Sequence, residues 1–502
     1  MKDYERAAIR SLPSGVPGLD IVLGGGLPEY SFNLVAGGPG SGKTILAHQI
    51  MFANATVERP ALYFTVLGEP TLKMLRYQRQ FSYFDPDLAG SAIQFINLSA
   101  EVMEQALGEV LQRIVSETER AKPGIVVVDS FRTLGSPHGS AERGPTFDLE
   151  QFVQRLALHL TSWEATSFLL GEYGVEEQRN PVFTVADGII WLSQVTDRNS
   201  VVRKLQVVKT RGRAPMPGLH TFRITDNGLQ VFPRIPEQTG KRKLRKRERL
   251  STGVPGIDEM TGGGIIAGDA VMLTGPAGSG KSTVATQFMM AGLANGEAGV
   301  IAVFEEYPEQ YVARATTRNP EVAKMIEAGK LEVIYLRPLD LSVDEALAAI
   351  LEAVERLGAK RVVIDSLSGF EAALAPAFRE DFRESLYRLV GTLTATGVTV
   401  FTTAEVIGGF GELEFSSEKV SFITDEIIVQ RYVEIEGEVR RVMAVIKMRG
   451  SEHSHEFLTY EVRAEGVVVG GPLTGYDGIS TGVPTLRAGA KPSKPKRSRR
   501  QG

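Results

Sequence analysis

The stretch SFNLVAGGPGSGKTILAHQIMF, residues 31–52, passes from an apolar run through a glycine-rich turn into a run of helix-forming residues. A second stretch, AVMLTGPAGSGKSTVATQFMM at 270–290, does the same. Strand, glycine turn and helix, in that order, are the context in which such a turn reads as a phosphate-binding loop. The glycines let backbone N–H groups point inward around an anion, and the helix N-terminus adds partial positive charge. The first loop is Gly37, Gly38, Pro39, Gly40, Ser41, Gly42, Lys43 and Thr44. The second is Gly275, Pro276, Ala277, Gly278, Ser279, Gly280, Lys281 and Ser282. Lys43 and Lys281 are the residues expected to reach the β- and γ-phosphates of ATP, with Thr44 and Ser282 offering hydroxyls to Mg²⁺.

Two loops of this kind belong to a duplication. SGVPGLD at 14–20 returns as TGVPGID at 252–258, and VKTRG at 208–212 returns as IKMRG at 446–450. Asp20 to Asp258, Lys43 to Lys281 and Arg211 to Arg449 are each 238 residues apart. A repeat this long is a whole domain and not a solenoid unit. The expected division is a first domain at 1–235, a basic linker at 236–250 (PEQTGKRKLRKRERL), a second domain at 251–480 and a tail at 481–502. The tail is basic, rich in Pro and Ser and poor in large apolar side chains, so it is expected to stay disordered.

Bulk composition narrows the class. At 43% hydrophobic and 23% charged residues the chain is globular, and its net charge of -4 gives no global pull towards nucleic acid or membrane. No run approaches the roughly 20 apolar residues a membrane span needs. The start, MKDYERAAIR, lacks the apolar core of a secretory signal. There is no cysteine, which excludes disulfides and thiolate chemistry. A cytoplasmic protein is the expectation. The basic stretches 241–249 and 491–500 read first as solvated charge, with nucleic-acid contact a weaker reading.

A second apolar run in each copy ends in an acid: GIVVVDS at Asp129 and RVVIDS at Asp365. Apolar residues leading to Asp mark a buried parallel strand whose C-terminal end faces the nucleotide. That Asp is expected to orient Mg²⁺ or its water shell. The two acids follow the loop lysines at similar distances, 86 residues after Lys43 and 84 after Lys281. Between lysine and acid, ALYFT and GVIAVF read as further strands. The second leads to Glu305 and Glu306, where a carboxylate could polarise a water in line with the γ-phosphate or take a proton from a hydroxyl. Two adjacent acids raise each other's proton affinity, which suits one of them to act as base. The same positions in copy one are Leu67 and Gly68, with Glu69 one place beyond. Copy one should therefore bind ATP and hydrolyse it slowly, unless Glu69 or Glu172 substitutes.

These features resemble the KaiC family, two-domain clock ATPases and autokinases of the RecA-like superfamily. The resemblance covers roughly residues 8–480. It rests on the SGVPGLD and TGVPGID leaders, the paired loops, the acids of FEEYP at 304–308, and SFITDEIIV, YVEIEGE and KMRGS within 421–451. It implies an α/β fold of two tandem RecA-like P-loop NTPase domains, each a mainly parallel sheet flanked by helices. It implies a homo-hexamer with ATP between subunits, in which Lys209 and Arg211, and Lys447 and Arg449, reach the neighbour's γ-phosphate. A cation supplied across an interface neutralises transition-state charge. The family's second domain also phosphorylates itself on a Ser-Thr pair before the I-T-D segment. Here the pair is Ser421 and Phe422. Ser421 is thus the expected phosphoacceptor, and an ordered two-site cycle on that pair is excluded. Family clock members use a KaiA partner at the tail and a KaiB partner at the first domain. The short basic tail offers no apolar stripe for a partner helix; a KaiB-like protein is the partner the resemblance implies as an option.

Three functions follow. The leading one is an ATP-hydrolysing ring with serine autokinase activity in copy two and an ATP-holding, ring-stabilising copy one. The second is a nucleotide-dependent regulatory scaffold with little catalysis. The third is a RecA-like DNA-acting ATPase, supported only by the basic stretches.

Overall fold

The computed structural model describes residues 10–66, 71–99, 107–129, 145–173, 181–197, 200–234, 248–336, 341–379, 382–405, 423–479 and 484–487. The chain divides into two compact units, residues 1–234 and 235–502. In the first, a ribbon of β1 (Ser11–Leu12) and β2 (Leu27–Pro28) precedes a nine-stranded sheet. That sheet contains β3 (Phe32–Gly37), β4 (Ala61–Thr65), β5 (Ile93–Asn97), β6 (Ile125–Asp129) and β7 (Thr166–Gly171). It continues with β8 (Gly188–Asp197), β9 (Ser200–Thr210), β10 (His220–Thr225) and β11 (Gly228–Phe232). The strand order is β5-β4-β6-β7-β3-β8-β9-β10-β11. The strands from β5 to β8 run parallel, and β9 to β11 extend the sheet antiparallel.

The second unit repeats the plan. After the ribbon of β12 (Arg249–Leu250) and β13 (Ile265–Ile266) come β14 (Ala270–Gly275), β15 (Gly299–Val303), β16 (Leu331–Tyr335), β17 (Arg361–Asp365) and β18 (Thr399–Glu405). Next are β19 (Glu426–Ile435), β20 (Glu438–Met448), β21 (Leu458–Arg463) and β22 (Gly466–Pro472). The order β16-β15-β17-β18-β14-β19-β20-β21-β22 matches the first sheet strand for strand. The mainly parallel sheets flanked by helices agree with the α/β expectation.

The continuous apolar runs have a simple cause: helices cover both faces of the parallel part, so every side chain on a central strand is buried. Along β6, Val127 enters one core cluster while Val126 and Val128 enter another. Along β17, Val363 and the pair Val362 and Ile364 divide in the same way. Successive side chains on a strand point to opposite faces. All six of these residues are fully buried.

One stretch departs from the sequence expectation. Thr485–Leu486, inside the tail expected to stay disordered, forms β24 and pairs antiparallel with β23 (Tyr476–Asp477). Arg487 donates to the Asp477 carboxylate at 2.7 Å, and Tyr476 is buried against Val433, Val442 and Leu473. Polar and backbone pairing to an anchored strand holds these residues without large apolar side chains of their own.

Candidate functional site

Both glycine turns fold onto the helix that follows. The phosphate-loop helices are Lys43–Asn54 and Lys281–Ala294. Their N-caps are Gly42 and Gly280, with φ of 98° and 101°. Only glycine takes that left-handed conformation without strain. The turn brings each lysine back over its own loop. Lys43 Nζ donates to the Gly37 and Gly38 carbonyls at 3.0 and 2.8 Å, and Lys281 Nζ to the Gly275 and Pro276 carbonyls at 2.9 Å each. Burial pushes both ammonium groups below the usual lysine range. Glu172 and then Asp129 oppose that at Lys43, and Glu405, Asp365 and Glu305 oppose it at Lys281.

The parallel strands bring the acids to the same edge. In copy two, Gly275 and Glu405 are register partners, as are Val303 and Asp365. The C-terminal ends of β14, β18, β17 and β15 therefore line up as loop, Glu405, Asp365 and the Glu305 segment. Asp365 accepts from the Thr403 hydroxyl at 2.5 Å. Ser366 caps the helix Leu367–Ala373, its Oγ accepting from Gly369 N at 3.0 Å and donating to Glu305 Oε1 at 2.6 Å. The two adjacent acids separate at this point. Glu305 turns to Ser366, whereas Glu306 forms an ion pair with Arg314 on the helix Pro308–Arg318. Arg314 also lies over the Tyr311 ring and lines a groove along Thr283, Gln287, Met290 and Arg318.

In copy one, Asp129 Oδ2 accepts from the Thr44 hydroxyl at 3.0 Å and from the Tyr63 hydroxyl. Burial raises the Asp129 carboxyl above the usual range, and the Tyr63 and Thr44 hydrogen bonds oppose the rise. Hydroxyl and carboxylate oxygens meeting beside a lysine form a hard donor set of the kind Mg²⁺ takes. Copy two offers the corresponding residues, Ser282 one place after Lys281 and Asp365 on β17.

The paired cations lie at the other end of each sheet. Lys209 pairs in register with Ile189, and Lys447 with Ile427, near the N-terminal ends of β8 and β19. Arg211 Nη1 donates to Asp187 Oδ1 at 2.8 Å, and Arg449 Nη1 to Asp425 Oδ1 at 3.4 Å. Each Asp also accepts from the backbone N–H of the first residue of the central strand, Phe32 or Ala270, at 3.1 Å. Lys209 Nζ donates to Thr184 O at 3.3 Å and Lys447 Nζ to Thr424 O at 2.6 Å. The five steps along each central strand, at about 3.3 Å each, put roughly 16 Å between these cations and the loop of their own domain.

The structure thus brings together the loop residues, Asp129 and Asp365, and it places Glu305 beside Asp365 and Lys281. It does not bring Lys209, Arg211, Lys447 or Arg449 to the loop of their own copy. Leu67, Gly68, Glu69 and Ser421 lie outside the described residues. Sequence reading missed Glu405, Ser366, Thr403, Tyr63 and Arg314. A signal existed for Glu405: LLGE at 169–172 and TTAE at 402–405 occupy the same place in the repeat, 233 residues apart.

Comparison with known proteins follows the same division of the chain. The family model described as "ATPase: KaiC" matches residues 12–235 and again 250–474. The circadian clock protein KaiC3 of Synechocystis sp. is 28% identical over 504 residues, covering 97% of both chains. The circadian clock oscillator protein KaiC of Thermostichus vulcanus is 26% identical, covering 96% of this chain and 93% of its own. That of Prochlorococcus marinus is 27% identical over 95% and 96%. Among the described residues no helix is long and apolar enough to cross a membrane. With two nucleotide-binding repeats, one sheet order in both and a family match across each, the chain belongs to the KaiC family of ATPases.

Proposed function

We propose that copy two is the hydrolytic engine of a ring-forming ATPase and that copy one holds ATP mainly as an interface ligand. The observation that carries this is Glu305. Its carboxylate is fixed by Ser366 beside Asp365, and Lys281 lies within its electrostatic reach. Glu305 is then the group that polarises the attacking water, and Glu306, held by Arg314, supports the segment's position. A general base of this kind contributes about 10²–10⁴-fold. Mg²⁺ would be held by Thr44 and Asp129 in copy one and by Ser282 and Asp365 in copy two, and when bound it neutralises charge on the phosphates.

The placement of Lys447 and Arg449, and of Lys209 and Arg211, supports a ring with nucleotide between subunits. A cation some 16 Å from its own loop can serve a loop on a neighbouring copy. Six subunits is the count the family resemblance suggests. ATP that stays bound between subunits stabilises the assembled state by mass action. Ser421 is the proposed phosphoacceptor, with a neighbour's Glu305 as base.

The test is an intact-mass and phosphopeptide time course of the purified protein with Mg-ATP, with free phosphate read in the same tubes. Phosphate on Ser421 that vanishes in the Glu305→Gln, Glu306→Gln variant supports the autokinase. Phosphate release with no protein adduct reduces the function to a plain ATPase, and tight ATP binding with neither would favour the scaffold.

A further inference from the structure

The acid at the end of the strand next to each phosphate loop is neither Asp129 nor Asp365. Gly275 opens the second loop, and its register partner on the next strand is Glu405. In copy one the ladder runs through Ala36 and Gly171, and Gly37 and Glu172 each follow one residue further along the chain. Neighbouring strands are about 4.8 Å apart. Asp129 and Asp365 stand one strand further out, and the segment carrying Glu305 two strands further. Lys43 Nζ donates to Gly37 O and Lys281 Nζ to Gly275 O, so each lysine tip is held at the start of its loop. Among the carboxylates acting on Lys43 the largest effect is that of Glu172, ahead of Asp129, and among those acting on Lys281 it is that of Glu405. Glu405 is held in place from behind, its backbone N–H donating to Ser368 Oγ at 3.2 Å. The arrangement recurs although the glutamates are 233 residues apart and the lysines 238.

We propose that Glu172 is the carboxylate that polarises the attacking water in copy one. The proposal rests on the reading above that copy one binds ATP. Among the described residues, the carboxylates acting on Lys43 are Glu172, half-buried one residue beyond β7, and Asp129, which already accepts from the Thr44 hydroxyl expected at Mg²⁺. In the step, the water oxygen bonds to the γ-phosphorus and the bond from that phosphorus to the β–γ bridging oxygen breaks. The electron pair leaves on ADP, and the water proton passes to the Glu172 carboxylate and then to solvent. A side chain that merely neutralised Lys43 would affect nucleotide affinity and leave the rate per bound nucleotide unchanged.

The experiment uses the full chain carrying Lys281→Ala, which confines nucleotide to copy one. ATP binding and single-turnover phosphate release are measured in that background and again with Glu172→Gln or Glu172→Asp added. The expected result is one ATP per chain throughout, dissociation constants within about threefold, a rate lowered roughly 100-fold or more by Gln, and partial retention by Asp. An unchanged rate with Gln, no hydrolysis before Gln is introduced, or a loss confined to affinity overturns the proposal while the ATP-holding reading stands. Failure of the Lys281→Ala chain to bind ATP removes both.

Discussion

Gly275 and Glu405 face each other across neighbouring parallel strands, the first residue of a phosphate loop against a strand-ending carboxylate. The pairing follows from sheet order alone. β18 lies between β14 and β17, so whatever ends β18 stands between the loop and Asp365. The edge then runs on to Glu305, which reaches back through Ser366. This order of strands turns four separated segments into one site.

Separation of Glu305 from Glu306 predicts unequal effects. In a Lys43→Ala background, Glu305→Gln is expected to lower steady-state phosphate release about 100-fold or more. Glu306→Gln, which loosens an ion pair with Arg314, is expected to cost less than about tenfold. Equal losses from the two variants would contradict the assignment.

Gly369 lies under Glu305. A Cβ there would stand 2.6 Å from Glu305 Cγ and Oε1, closer than packed atoms allow. Gly369→Ala should therefore displace the carboxylate and lower kcat of copy two at least about tenfold, since small misplacements of a reacting group are costly. ATP affinity should hold within about threefold. Steady-state kinetics in the Lys43→Ala background reads both numbers.

His48 carries a pH dependence. It is fully buried beside Tyr63 and Phe95, and burial pushes its ring from the ordinary value of 6.5 down to about 4, partly offset by Gln78. Because the folded value is the lower one, the unfolded chain binds the proton more readily. Stability is full above about pH 6.5 and falls as pH drops towards 4, by about 3 kcal/mol in all. The corresponding residue of copy two is Thr286. His48→Thr should flatten that dependence in the unfolding of copy one, measured by denaturant titration from pH 7 to 4.5.

Arg361 is 1% exposed, lies over the Phe288 ring, and donates to Glu297 at 2.5 Å and to the Ser251 and Phe288 carbonyls at 2.8 and 2.7 Å. Its copy-one counterpart is Ile125. Arg361→Ile should destabilise the second unit by about 3 kcal/mol, because it removes the partner of the half-buried Glu297 and the donor to the buried Phe288 carbonyl. Arg361→Ile with Glu297→Leu should recover part of that loss, as read by chemical denaturation.

Much of this was legible in the chain. The loops announce themselves by a glycine turn between strand and helix, Asp129 and Asp365 by the apolar runs that lead to them, and the paired cations by the repeated K-x-R-G and the family resemblance. The remote placement of the cations was also within reach. VEIEGEV at 433–439 is a hairpin signal, with Glu436 and Gly437 at φ of 53° and 78° joining β19 to β20. That hairpin carries Lys447 back to the far end of the sheet. Glu405 escaped because copy two is five residues shorter than copy one between loop lysine and glutamate, which shifts the repeat spacing from 238 to 233. Ser366, Thr403 and Tyr63 escaped because a hydroxyl residue on or after a strand is common, and only the register shows which carboxylate it meets. Arg314 stands eight residues after Glu306 across the helix start at Pro308, outside any simple side-chain spacing rule.

The central claim is an ATPase whose copy-two site is completed by a neighbouring subunit. Lys281→Ala chains keep the cations and lose the loop lysine, whereas Arg449→Ala chains keep the loop and lose a cation. Each is expected to be inactive in copy two in a Lys43→Arg, Glu172→Gln background that silences copy one. Phosphate release is measured after mixing the two forms and allowing subunits to exchange with ATP. The account predicts that the mixture recovers a substantial fraction of the parental rate, because an intact loop then meets an intact Arg449 across an interface. A mixture as inactive as its parts, with mixed oligomers shown to form, would contradict it.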